Sequence, residues 1–127
     1  MSKSHVYQPS VTIPGGSITA SQKTYSADGH TQLDLAVPAN QTNMLVALVI
    51  DVSQLKSIVI KSSVDMTLEF NNSTTGVPTI NLKAGVPYIW NTDSYDSLLL
   101  SADVTALYVT NTTAGTLELS AIVDPTV

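Results

Sequence analysis

This sequence predicts an all-β fold: an antiparallel two-sheet β-sandwich, jelly-roll-like, with an extended N-terminal arm. Three observations predict it. Apolar and polar residues alternate with a period of two along much of the chain, the side-chain period of a strand covered on one face. Turn-forming Gly, Pro, Asn and Asp return about every ten residues, the spacing of short strands in sandwiches and small barrels. Ser and Thr supply about a quarter of the 127 residues, while helix-favouring Glu, Lys and Arg are scarce.

Residues 1–16 read as the arm and residues 17–127 as the sandwich domain. In the arm, Pro9 and Pro14 fix φ and remove donors, and Gly15-Gly16 makes a joint. Ile18, Ala20 and Gln22 then alternate with hydroxyl residues up to the turn Ala27-Asp28-Gly29. Leu33, Leu35 and Val37 point one way and Gln32, Asp34 and Ala36 the other, until Pro38 ends the strand. Met44–Val52 is a continuous apolar run, expected as a strand covered on both faces, and Ile58 and Ile60 mark another strand.

The clearest alternation is Val64, Met66, Leu68 and Phe70, with Asp65, Thr67 and Glu69 between. A polar turn, Asn71–Gly76, separates it from Ile80 and Leu82. Ala84-Gly85-Val86-Pro87 makes a tight turn before Tyr88, Ile89 and Trp90. Leu98–Leu100, Val104–Val109 and Leu117–Val123 complete the strands, and Ser94–Ser101 has room for one helical turn.

A chain of this length has room for one core. Charged residues are 12% of it, against about 25% in ordinary domains. With no cysteine, disulfides and thiolate metal sites are excluded. The first sixteen residues have no apolar h-region, so no secretory signal is read, and Met44–Ile50 is too short to span a bilayer. No membrane partner is expected. The net charge is −5, and the five cations are lysines at 3, 23, 56, 61 and 83. Scattered lysines without a single Arg make a poor surface for phosphates or base edges, so no nucleic-acid partner is expected either.

Chemistry is sparse. His5 lies in the arm and His30 beside a turn glycine, with no metal-ligand spacing and no nucleophile triad. There is no Gly-x-Ser-x-Gly elbow and no phosphate loop. Asp93 and Asp96 flank Tyr95, but they lack the ligand alternation and terminal Glu of an EF-hand. The expectation is a non-enzyme with no catalytic residues, no cofactor and no metal. Tyr88, Trp90 and Tyr95 cluster, with Asn91 and Asp93 close by, and form a candidate ligand platform; the competing reading is that Trp90 plugs one end of the sandwich. Four Asn-x-Ser/Thr sequons start at Asn40, Asn71, Asn72 and Asn111 and are read as chance in an Asn- and Thr-rich chain.

Asp65–Asn71, Ile80–Trp90, Asp103–Asn111, Leu117–Leu119 and Asp124-Pro125, taken together, resemble small structural proteins of tailed-bacteriophage virions. The pattern, over residues 44–125, is most similar to the jelly-roll capsid decoration, or cement, proteins. The resemblance implies a virion protein on the capsid exterior, made in the host cytoplasm, trimeric, and bound to the major capsid (coat) protein so as to stabilise contacts between coat subunits. It carries over no catalytic residues. An acidic, Arg-free surface suits the outside of a shell better than its DNA-facing side. Val6, Tyr7, Val11 and Ile13 of the arm are the candidate partner-binding residues, expected to order against a neighbouring chain. The alternative is a carbohydrate- or receptor-binding sandwich of a phage tail or fibre, using Tyr88, Trp90 and Tyr95.

Overall fold

The period-two segments are strands. The computed structural model describes residues 3–7, 10–19, 22–27, 29–71, 79–94, 97–100 and 103–123, in which the strands are β1 (Lys3–Tyr7), β2 (Ser10–Ile13), β3 (Gly16–Thr19), β4 (Lys23–Ala27), β5 (Gly29–Val37), β6 (Met44–Val46), β7 (Leu55–Ser62), β8 (Met66–Phe70), β9 (Thr79–Leu82), β10 (Tyr88–Asn91), β11 (Leu107–Asn111) and β12 (Gly115–Val123). A single 3₁₀ turn, Val52–Gln54, is the one helical element among the described residues.

Eight of these strands form the sandwich. One sheet has the order β5-β12-β7-β10 and the other β6-β11-β8-β9, with every neighbouring pair antiparallel. Counting the eight in chain order, the sheets read 1-8-3-6 and 2-7-4-5. That is the interleaved double Greek key of a jelly roll. Successive strands cross from sheet to sheet except at the β8–β9 pair, so both sheets are needed before either core face is covered.

Strand alternation fills the space between the sheets. Ile58, Ile60, Leu117, Leu119 and Ala121 face inward from one sheet, and Met66, Leu68, Phe70, Leu107 and Val109 from the other, all buried. Each of the larger side chains among them contributes about 1.5–3 kcal/mol by leaving water. Turn chemistry closes the far end of β9. Val86 N–H bonds the Lys83 carbonyl at 3.0 Å, and Gly85 takes φ 74°, the left-handed position a type II turn demands. Asp65 Oδ1 accepts the Ala84 N–H at 2.8 Å, and the exposed Lys83–Asp65 ion pair at 3.8 Å lies alongside.

Three expectations are corrected. The apolar run Met44–Val52 is not covered on both faces: its strand ends at Val46, and Leu45 and Val49 are 63% and 72% exposed while Val46, Leu48 and Ile50 are buried. In a two-sheet sandwich each sheet turns only one face to the core. Leu98–Leu100 is not a strand, and Val104 makes only an isolated bridge to Ile50 before β11 begins.

The arm is extended but paired. β1 runs antiparallel to β4, with Lys3 opposite Ala27 and Tyr7 opposite Lys23. β2 and β3 form a hairpin around Pro14-Gly15, so a division at residue 16 falls inside it. Gly15 has φ 87°, and Pro14-Gly15 occupies the two central positions of a type II turn, where Pro presets φ and Gly accepts the positive value. The residues read as a joint are a hairpin turn.

Candidate interaction surfaces

Two surfaces gather the residues singled out in the sequence. The first is the rim formed by β10 and its flanking segments. β10 is an edge strand, pairing only with β7. Tyr88 stands opposite Ile60 and Trp90 opposite Ile58, so both rings lie on the inward side, half-buried and packed against the core. Trp90 therefore sits nearer to a plug than to a flat exposed platform. Tyr88 Oη accepts the Leu99 N–H at 3.2 Å and ties the 97–100 segment to the strand. Tyr95 lies outside the described residues, as does Asp96.

Between these segments is a cleft of about 740 Å³ lined by Pro87, Tyr88, Ile89, Trp90, Ser94, Ser97 and Leu99. Among the described residues, none that lines it carries a carboxylate, imidazole or ammonium group. Apolar side chains stand exposed along it, Ile89 at 44% and Leu99 at 48%, and Val86, at 59%, lines an adjoining hollow that also holds Lys83. The connections β5–β6 and β9–β10 set those pairs at opposite edges of the sandwich, so exposed Leu45, on β6, stands at the edge away from the rim, and Val49, just after β6, is exposed too. The loop after β10 bonds largely to itself: Asn91 N–H to Ser94 Oγ, Asp93 N–H to Asn91 Oδ1 and Ser94 N–H to the Asn91 carbonyl. The Asp93 carboxylate accepts the Tyr25 hydroxyl at 2.8 Å. No group of three or more His, Cys, Asp or Glu that could hold a metal occurs among the described residues.

The second surface is the outer face of the β5-β12-β7-β10 sheet, over which the β1–β4 ribbon lies. Ser57 and Ile122, cross-strand partners on that outer face, are fully buried although they point away from the main core. His5 reaches down from β1 between β7 and β12. Its Nδ1 is 2.9 Å from Ser57 Oγ and its Nε2 is 2.7 Å from Ser120 Oγ. His30, on β5, brings its own Nε2 to within 3.1 Å of the same Ser120 hydroxyl. Tyr7 adds a hydrogen bond between its hydroxyl and that of Ser57, and its ring packs edge-on against Tyr25 at 5.7 Å. Burial lowers the His5 pKa below its ordinary value, and the neighbouring His30 charge lowers it further. Burial raises the Tyr7 pKa, an effect partly offset by the bond to Ser57.

Of the four arm residues expected to meet a partner, Tyr7 turns inward on this chain's own sheet, and Val6 stands outward at 55% exposure. The side chains of Val11 and Ile13 lie outside the described residues. Sequence reading missed the meeting of His5 and His30 at Ser120. The parity of His5 and Tyr7 within one strand was visible, but nothing local tells a strand which sheet it will cover.

In comparison with known proteins, no family model, no curated protein and no solved structure matches this chain.

Proposed function

We propose that this chain is a structural virion protein that binds the outer surface of a bacteriophage capsid and stabilises contacts between coat subunits. The observation that carries the reading is the apolar rim: Ile89 and Leu99 stand exposed on a cleft whose described lining residues include no charged or imidazole group, with exposed Val86 on the adjoining hollow. Such a surface offers broad contact with little desolvation of ions. The strand order is that of many shell-building domains, and the acidic, Arg-free composition suits the exterior. Attachment then works by mass action, since a protein that binds only the assembled shell stabilises it.

The oligomer that goes with this reading is a homotrimer. Exposed apolar residues at opposite edges, Val86, Ile89 and Leu99 on one and Leu45 on the other, supply unlike surfaces for a head-to-tail contact, which makes a ring where a threefold rotation closes it. The test mixes the purified chain with shells of the coat protein encoded beside its gene, prepared without this chain, and pellets them. Saturable co-sedimentation with a raised shell melting temperature is the expected result. No co-sedimentation at molar excess overturns the reading.

A second reading has one observation in its favour: the rim cleft offers the edges of Tyr88 and Trp90 beside the hydroxyls of Ser94 and Ser97, a combination suited to a sugar ring. Saturation-transfer NMR with simple hexoses tests this carbohydrate-binding role.

A further inference from the structure

The β1–β4 ribbon is fastened to the sandwich by hydroxyls and an imidazole set beside the buried Ile122. His5 bridges Ser57 on β7 and Ser120 on β12, and Tyr7 reaches Ser57 as well. Ser120 is shared with His30 of β5. One ring on the ribbon thus touches, directly or through one hydroxyl, three strands of the sheet below. The ribbon joins that sheet through the single residue between Ala27 and Gly29.

We propose that His5 is the pin of a pH-sensitive latch: neutral, it fastens the β1–β4 ribbon to the sandwich, and protonated, it lets the ribbon lift.

The donor inventory explains why the neutral form fits. A neutral imidazole has one N–H and one lone pair, so a serine hydroxyl can accept from one ring and donate to the next. Ser120 between two neutral rings does both, accepting from one Nε2–H and donating to the other Nε2. When both rings are protonated, both donate to Ser120 Oγ, and the Ser120 O–H has no acceptor between them. Two cations then face each other across one hydroxyl, His5 half-buried under the ribbon. Burial and the His30 charge both oppose that state.

The other titratable groups around His5 do not relieve it. Tyr7 on β1 and Tyr25 on β4 are neutral in this range, and the ribbon register sets Lys23 opposite Tyr7. The Asp93 carboxylate, after β10, is taken by Tyr25. On the outer face of the sheet, Asp34, Lys61 and Glu118 form one cross-strand row beyond Ser120, with Glu118 directly between the other two. Glu118 thus has Lys61 as a cross-strand neighbour of opposite sign, and among the described residues no carboxylate is bonded to His5.

The sign follows. The folded chain holds fewer protons on His5 than the unfolded chain just below the ordinary value of 6.5, so docking is full above that pH and weakens as pH falls through it. The latch is independent of what the rim binds, so it stands or falls separately from the capsid reading.

Hydrogen exchange of the full chain at pH 7.5 and 5.0, corrected for the intrinsic pH dependence of amide exchange, tests it, with β11 amides as internal reference. Protection of β1 and β4 should fall several-fold at acid pH while β11 keeps its own. His30→Gln retains a polar partner for Ser120 but removes the second cation, and should flatten that fall. His5→Gln cannot titrate, so its ribbon protection, whether high or low, should be the same at both pH values. The proposal is overturned by ribbon protection that does not change with pH in the wild type, or by the same pH dependence in all three chains.

Discussion

Asn111 and Gln41 hold each other by a reciprocal pair of hydrogen bonds: the Gln41 N–H donates to Asn111 Oδ1 and the Asn111 N–H donates to the Gln41 carbonyl, each at 3.0 Å. The Asn111 amide nitrogen also donates to the carbonyls of Pro38 and Thr113, at 3.0 and 2.8 Å. One buried side chain at the end of β11 thus organises the β5–β6 connection and the turn into β12. Replacing Asn111 by Ala leaves one N–H and two carbonyls without this partner. The expected loss is roughly 2–4 kcal/mol, given about 1–3 for each buried group left unpaired and some recovery by water. Asn111→Asp keeps the acceptor but sets a buried carboxylate oxygen against the Pro38 and Thr113 carbonyls, and should cost at least as much as Ala. Urea unfolding of the three chains measures the order.

Leu68 and Thr67 test the assignment of faces. Leu68 is fully buried between the sheets, whereas Thr67 points outward and donates to Asn81 Oδ1 at 3.1 Å. Leu68→Ala should cost about 2–5 kcal/mol, the range for large-to-small changes in a core. Thr67→Ala should cost less than about 1.5 kcal/mol, since its one bond is exposed. Similar losses at the two sites would contradict the packing described.

Gly115 starts β12 where the backbone runs against Val64 and Ser63. A Cβ there would lie 2.5 Å from Val64 Cγ2 and 2.8 Å from Ser63 Oγ. Gly115→Ala should therefore destabilise by about 1–3 kcal/mol through overpacking, although its φ is ordinary. Gly115→Ala combined with Val64→Ala should recover part of the loss. Thermal melts of both chains, read against wild type, show whether the crowding is real.

Much of the sandwich was legible because alternation is a local signal. Val64–Phe70 and Leu33–Val37 give strand, face and core membership directly, and Ala84-Gly85 gives its turn. The Met44–Val52 run misled because local pattern cannot say how many layers cover a strand, and in this two-sheet sandwich the outer face of β6 stays in water. The arm misled for a related reason. Pro14 and Gly15 punctuate a hairpin as readily as a linker, and which strand β1 pairs with is decided some twenty residues away on β4. The rim aromatics were found by clustering, but their orientation is fixed by register against β7, which no single segment specifies. The meeting of His5, His30 and Ser120 spans most of the chain and left no local mark.

Tyr7 gives a second pH test of the ribbon, at the alkaline end. Its hydroxyl is held above the ordinary value of 10.0 mainly by burial. Between that value and the folded one, the unfolded chain has lost a proton that the folded chain keeps. The contribution is therefore complete below about pH 10 and is lost as pH rises. Wild-type melting temperature should drop across this range, and Tyr7→Phe should drop less steeply, at the cost of the bond to Ser57 at neutral pH. Parallel curves for the two chains would mean that Tyr7 is not the group responsible.

The rim makes the last prediction, and it separates folding from attachment. Ile89 is 44% exposed and faces outward opposite Val59, on the edge strand of its sheet. Ile89→Lys adds a charge where water already reaches, so stability should change by no more than about 0.5 kcal/mol. A lysine on an edge strand also discourages sheet-to-sheet pairing with another chain. If the rim is the surface that meets coat subunits, the same change buries an unpaired ammonium in the contact, and attachment to capsids should weaken at least about tenfold, or 1.4 kcal/mol. Val6→Lys is the matched control, since Val6 is 55% exposed on the ribbon and is not among the residues lining the cleft. Capsid pelleting of both variants, beside their thermal melts, gives the answer. Normal attachment by Ile89→Lys together with failure of Val6→Lys would move the contact from the rim to the outer face of the ribbon, where the sequence first placed it.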